Sequence, residues 1–263
     1  MGRHYKNYIS FMKKYLGSEN IRFFRHSGYL KLPEVIPLST VQAMRAVISS
    51  YMEDRVPPYI ADETGSVIRL SELYQRDPIF AEVFMSPIVL DPLESLLGPN
   101  IELVLNRHNH ATINRPGIAA RRLHRDVLQW TRDIITVVLY LENSTVENGC
   151  TLVIPGSQFL PFVGTPNNGG TWMDEHSVYQ SLIDQALPVP MPAGGLLVLD
   201  SLMFHACGPN HSHEDRMAVT MGFHSVDELL DDPEPPHRIL MRGERLYRGN
   251  DRFIDSNNLL GTP

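Results

Sequence analysis

Cysteine is nearly absent from this 263-residue chain. Cys150 and Cys207 are too few for a disulfide framework and lack zinc-finger spacing. No apolar run approaches the ~20 residues of a membrane span. The longest, Ile134 to Leu141, has the length of a buried strand. The opening Met-Gly-Arg-His-Tyr-Lys-Asn-Tyr lacks the apolar stretch of a secretory signal, and Lys6 stands where myristoylation requires Ser or Thr. Basic residues are also in deficit, 23 against 30 acidic for a net charge of −7, which argues against a nucleic-acid surface. Internal repeats and low-complexity tracts are missing too. These absences predict a soluble, cytoplasmic protein that engages neither membrane nor nucleic acid.

Hydrophobic residues at 43% and charged residues at 20% are ordinary globular values. A chain this long buries roughly 70–75% of its unfolded surface, so folding needs no metal staple. The 20 prolines and 18 glycines are spread without a period, which suits turns between short strands.

Residues 1–100 read mainly as helix. Tyr8, Ile9, Phe11, Met12 and Tyr15 recur at helical spacing, and a second helix runs from Glu19 to His26 before Gly28. Ser39 or Thr40 is expected to cap a third helix with Val41, Met44, Val47, Ile48 and Tyr51 on one face. Helical material continues around 71–74, 79–85 and 87–97. From Ile101 the pattern alternates, and one strand is predicted over Ile101–Ile113, then others over 133–141, 151–155, 187–190, 195–200 and 217–224. Many short strands separated by Gly- and Asn-rich turns indicate a jelly roll. The expected organisation is a single domain: helices over 1–100, a β core over 101–227 with an insertion at 159–185, and an extension over 228–263.

Eleven histidines invite a search for metal ligands. His124-Arg125-Asp126 places an imidazole and a carboxylate on one face of an extended segment. The triplet is not specific, because His213-Glu214-Asp215 repeats it; the second, however, lies in a polar run that reads as a solvated turn. His205 ends the apolar run from Gly195 and supplies a third donor. Two His and one Asp leave about three positions open on an octahedral Fe(II), as an oxygenase requires. Helical HExxH, the usual zinc-hydrolase pattern, is missing. His108 and His110 also share a face but have no carboxylate close in sequence, and read as structural or substrate-contact residues.

The ordered set His124-x-Asp126, Glu147-Asn148-Gly149-Cys150-Thr151-Leu152-Val153-Ile154-Pro155-Gly156-Ser157-Gln158, Ala193-Gly194-Gly195, His205 and Arg216 resembles the phytanoyl-CoA dioxygenase family. Phe23 to Pro33 is similar to that family's N-terminal signature, so the resemblance spans about Glu19 to Asp227. It implies a mainly β fold with N-terminal helices, a double-stranded β-helix of cupin type. It also implies an Fe(II)- and 2-oxoglutarate-dependent oxygenase consuming dioxygen and releasing succinate and CO2. By resemblance, His124, Asp126 and His205 are the catalytic iron ligands and Arg216 holds the distal carboxylate of 2-oxoglutarate. Arg107 and Asn109 are implied as further cosubstrate contacts. Trp130 and Gln129 are candidates for touching substrate, and Gln158 replaces a histidine common in relatives. Asn114 stands where many relatives have a long polar side chain.

Trp172 lies in the 159–185 insertion, whose polar and aromatic mixture suggests a lid over a polar, sugar-bearing natural product rather than a fatty acyl chain. The expected reaction is hydroxylation or oxidative ring closure of a small molecule. The competing readings are a non-catalytic cupin-like binding protein and a primary-metabolism hydroxylase of the same family.

Overall fold

The computed structural model describes residues 15–33, 35–105, 108–127, 134–161, 171–228 and 237–246. The helix expected from Tyr8 to Tyr15 therefore lies largely outside them. The first helix described is α1 (Ser18–Ser27), which stops at Gly28 in the left-handed conformation. Strand β1 (Tyr29–Leu32) and helix α2 (Leu38–Glu53) follow. Neither Ser39 nor Thr40 caps α2; the helix starts one residue earlier, after Pro37, with no side-chain cap. Proline is suited to this place because its fixed φ leads the chain into the first turn. Val41, Met44 and Ile48 are buried as the spacing requires.

The first hundred residues are not purely helical. A hairpin of β2 (Tyr59–Ala61) and β3 (Val67–Ser71) precedes α3 (Leu73–Arg76), α4 (Pro78–Phe84) and α5 (Pro87–Leu97). The alternation that betrays β3 is short and was absorbed into the helical reading. Asp77 caps α4 through its carboxylate, which accepts from the Ile79 amide.

The expected Ile101–Ile113 strand is two strands, β4 (Ile101–Val104) and β5 (His110–Asn114). His108 lies between them at φ +61°, a backbone that no regular strand allows. Both halves pair with the long strand β11 (Arg216–Ser225), β5 along its first half and β4 at its end. The remaining strands are β6 (Ile134–Tyr140), β7 (Thr151–Val153), β8 (Leu187–Val189), β9 (Leu196–Asp200), β10 (His205–Cys207) and β12 (Arg238–Arg242).

Nine strands form one large sheet whose main path is β1-β9-β6-β11-β5-β3-β2, with β4 and β12 attached beside β11. Three form a smaller sheet, β10-β7-β8. All described pairings are antiparallel. The two sheets face one another as a double-stranded β-helix. Outward residues of the large sheet, such as Ala111, Ile113, Val137, Leu139, Val219 and Met221, pack under Met44, Ile48, Phe80 and Leu93 of the helices. Inward residues Tyr140, Leu197, Leu199 and Ala218 meet Val153 and Val189 of the small sheet.

Period-two alternation thus sends one side of β11 into the helix-covered core and the other into the barrel. Arg216, opposite Asn114, and Ala218, opposite Tyr140, lie on that barrel side. Asn114 is 3% exposed, and its amide donates to the carbonyls of Asn148, Gly149 and Gly208, closing the barrel end. Glycine at 149 is required there. Its φ is +78°, and a Cβ would lie 2.3 Å from Asn114 Nδ2 and 2.4 Å from the Gly208 oxygen.

Gln158 has a structural use, donating to the carbonyls of Arg25 and His26 and docking α1 on the barrel. The second half of the 159–185 insertion is folded onto the barrel. It forms 3-10 turns at Met173–Glu175 and Ser177–Tyr179 and helix α6 (Gln180–Ile183). Met173 and Tyr179 are buried against Leu123, Ile154 and Phe204, and these apolar anchors are what the polar reading of the insertion overlooked. Residues 162–170 of the insertion fall outside the described residues.

Candidate metal centre

The three expected ligands converge. His124, on an isolated bridge, exchanges both backbone hydrogen bonds with His205 on β10, at 2.9 and 3.0 Å. Two residues further on, the Asp126 amide donates to the Ser201 carbonyl at 3.0 Å. This ladder places the imidazole rings 4.6 Å apart, centroid to centroid. Asp126 Oδ1 then lies 3.7 Å from His124 Nε2 and 3.5 Å from His205 Nε2. One ligand atom from each residue fits within 4.8 Å of the others. Among the described residues no other group of this kind occurs, and His213 and Asp215 are exposed.

The protonation states suit a metal. His205 Nδ1 lies 3.0 Å from the Met203 carbonyl, and His124 Nδ1 lies 3.2 Å from the Arg122 carbonyl. A carbonyl only accepts, so each Nδ1 carries a hydrogen, and in the neutral ring the lone pair is then on Nε2. Burial, helped by the neighbouring His205, drops His124 to a pKa of about 4, so it is a neutral donor at pH 7. Burial opposes ionisation of Asp126, yet His205, His108 and His124 outweigh it and hold the carboxyl well below its ordinary range. Its other oxygen, Oδ2, accepts from the Thr136 hydroxyl at 2.7 Å.

These shifts predict a pH dependence. Between pH 6.5 and about 4 the unfolded chain protonates His124 before the folded one does, so stability falls as pH falls. The depressed Asp126 carboxyl acts in the same direction at lower pH. Thermal melts of metal-free protein from pH 7 to pH 4 should show this loss, and His124→Ala should flatten the slope in the upper part of that range.

Arg216 enters the barrel beside Tyr140 and Cys207. It is 2% exposed, its guanidinium lies 5.7 Å from the Tyr140 ring, and one NH2 donates to Cys207 Sγ at 3.5 Å. Its buried Nε has no hydrogen-bond partner among the described residues. Asp215, the neighbour that could have drawn Arg216 to the surface, pairs with Arg115 at 3.4 Å. Tyr140, pushed up to about 12 by burial, shares a 2.6 Å hydrogen bond with Thr151. A guanidinium with an unused donor, next to two hydroxyls, is a cradle for a carboxylate. Tyr140 and Thr151 were missed from sequence; the signal available was the Gly149 turn, which puts Thr151 opposite Cys207.

A second guanidinium missed from sequence is Arg69 on β3. It faces Thr112, reaches His110 Nδ1 at 3.1 Å, and has a buried Nε without a hydrogen-bond partner among the described residues. Burial, then Arg121, lowers its pKa, and His110 is lowered well below its ordinary value by burial and by Arg69.

Asn109 is placed elsewhere. Its Oδ1 accepts from the Tyr74 amide and its Nδ2 donates to Gln75, so its amide anchors α3. Arg107, Gln129 and Trp130 lie outside the described residues. Trp172 is half-buried with its ring 5.4 Å from His124, and Arg122 stacks on it at 4.8 Å. Arg122 is in turn clasped by Asp174 and Glu175, which raises its already high pKa.

The family model Phytanoyl-CoA dioxygenase (PhyH) matches residues 24–218. The chain belongs to the phytanoyl-CoA dioxygenase family. It is a 2-oxoglutarate-dependent dioxygenase, and Fe(II), 2-oxoglutarate and dioxygen are the family's requirements. Dioxygenase af480 of Aspergillus fumigatus is 29% identical over 219 residues, 78% of this chain and 65% of that protein. L-proline trans-4-hydroxylase of Streptomyces griseoviridis is 27% identical over 151 residues, covering 54% of this chain and 55% of that one. The fold matches the carbocyclase SnoK from nogalamycin biosynthesis at a TM-score of 0.69, with 19% identity over 86% of this chain and 96% of that one. It also matches EctD from S. alaskensis at 0.67, with 17% identity over 83% and 79% of the two chains. Among the described residues no helix is long and apolar enough to cross a membrane.

Proposed function

We propose that this phytanoyl-CoA dioxygenase family member hydroxylates or oxidatively cyclises a polar small molecule, of the kind found among saccharide-bearing natural products. In this reading His124, Asp126 and His205 bind Fe(II), which supplies oxygen activation when bound, and the remaining work falls to the chain. Arg216, with Thr151 beside it, holds the distal carboxylate of 2-oxoglutarate. Arg69 takes the carboxylate at the keto end, the role for which sequence offered no residue. Trp172 and the Arg122–Asp174–Glu175 cluster form the wall that substrate meets, and the latter three supply donors and acceptors rather than an acyl tunnel.

The observation that carries the reading is a His-His-carboxylate face within 4.8 Å, with a buried guanidinium in the same barrel whose Nε is unpartnered among the described residues. A retired binding fold has no reason to keep these groups buried together. The nogalamycin enzymes SnoK and SnoN, the latter solved with Fe3+, alpha ketoglutarate and nogalamycin RO, support a tailoring role by fold alone. Free thiols at Cys150 and Cys207 suit the reducing cytoplasm.

A metabolite-library screen that follows succinate release with Fe(II) and 2-oxoglutarate tests this. Stimulation by polyhydroxylated molecules above the substrate-free rate is expected. Stimulation confined to acyl-CoA thioesters would overturn the substrate class, and no turnover with any molecule would favour the binding-protein reading.

A further inference from the structure

His108 contributes nothing to the ligand set, yet it touches it. Its Nε2 lies 3.0 Å from Asp126 Oδ2, an ion-pair distance, and has no hydrogen-bond partner among the described residues. The group whose ligand atoms gather within 4.8 Å is His124, Asp126 and His205, without His108. The backbone at 108 is left-handed, at φ +61°, which a histidine seldom adopts. Its neighbour holds it there: the Asn109 carbonyl accepts from the Leu73 amide, and the Asn109 side chain binds Tyr74 and Gln75. A strained conformation so firmly held, ending in one contact to a metal ligand, points to a use for that contact.

We infer that His108 is a positioning residue that restricts Asp126 to one ligating oxygen. The carboxylate has two oxygens with different surroundings. Oδ1 faces the two histidine Nε2 atoms. Oδ2 is taken by the Thr136 hydroxyl, which the Ser201 hydroxyl supports at 2.9 Å, and by His108 from another side. A carboxylate so tied cannot rotate to chelate with both oxygens. Such a carboxylate would offer a bound metal Oδ1 alone. Outer-shell partners of this kind orient ligands and raise metal affinity about 10–100-fold. The inference rests on the reading that Asp126 binds the metal.

Glycine at 108 separates this role from a structural one, because it accepts φ +61° without strain while removing the imidazole. In full-length, metal-free protein, His108→Gly should melt no lower than wild type, yet bind Mn(II) about 10–100-fold more weakly when free Mn(II) is followed by electron paramagnetic resonance. Thr136→Val removes the other tie to Oδ2 with the backbone at 108 untouched, and should weaken Mn(II) binding in the same way. Unchanged Mn(II) affinity in either variant would overturn the inference, as would a His108→Gly protein that loses stability and affinity together. Failure of the parent reading looks different: wild type would then bind no Mn(II), or His124→Ala would bind it as well as wild type.

Discussion

Asp126→Ala yields a folded protein that neither binds Fe(II) nor releases succinate. Of the three ligands Asp126 is the most deeply placed, with its side chain 2% exposed, and both imidazoles aim Nε2 at its Oδ1. Removing it deletes the one anionic donor, so the loss of metal affinity should exceed the about 10–100-fold expected for an outer-shell partner. The fold survives because the hydrophobic core beneath the helices owes nothing to the metal. The measurements are Fe(II) binding by calorimetry, succinate release, and a melting curve. Asp215→Ala, in the look-alike triplet at the surface, should leave all three near wild type. Fe(II) bound by Asp126→Ala at wild-type affinity would remove the proposed centre.

The second large effect is expected at Arg216. Lysine keeps the charge there but not the paired donors, so 2-oxoglutarate should bind about 1–3 kcal/mol more weakly, a factor of about 5–150. The shorter reach also withdraws the group from Cys207 and from the Tyr140 ring. Half-saturation for 2-oxoglutarate should rise accordingly while Fe(II) affinity holds. An unchanged half-saturation would move the distal carboxylate to another residue, with Arg69 the first to test.

The ligand triad was legible in the chain because it needs little tertiary context. His124 and Asp126 share a side at a two-residue spacing, and the apolar run to His205 announces delivery from an interior. Arg216 was legible because it opens an apolar strand, where an unpaired guanidinium is costly. What stayed hidden depends on partners distant in sequence. Arg69 looks like an ordinary strand residue until β3 is known to pair with β5. His108 has no carboxylate within reach along the chain, and its contact with Asp126 exists only because a left-handed residue splits the expected strand into β4 and β5. The bonds of Asn109 to Tyr74 and Gln75 were hidden for the same reason, since they too depend on where the strand breaks. Strand β3 escaped because five residues of alternation beside a helical stretch are too few to separate the two periods.

The backbone around His124 has a practical consequence for altering specificity. His124 is laddered to His205 on one edge and bridged to Trp172 on the other, while the Arg125 amide bonds the Thr171 carbonyl and Met173 the Leu123 carbonyl. The proposed substrate wall and the proposed metal ligand therefore share one hydrogen-bond register. Libraries that recolour side chains at 171–176 can reshape the entrance without disturbing the catalytic centre. Insertions or deletions there would slide His124 along its neighbour and misalign the ligands, so diversity in this segment has to be gained at constant length.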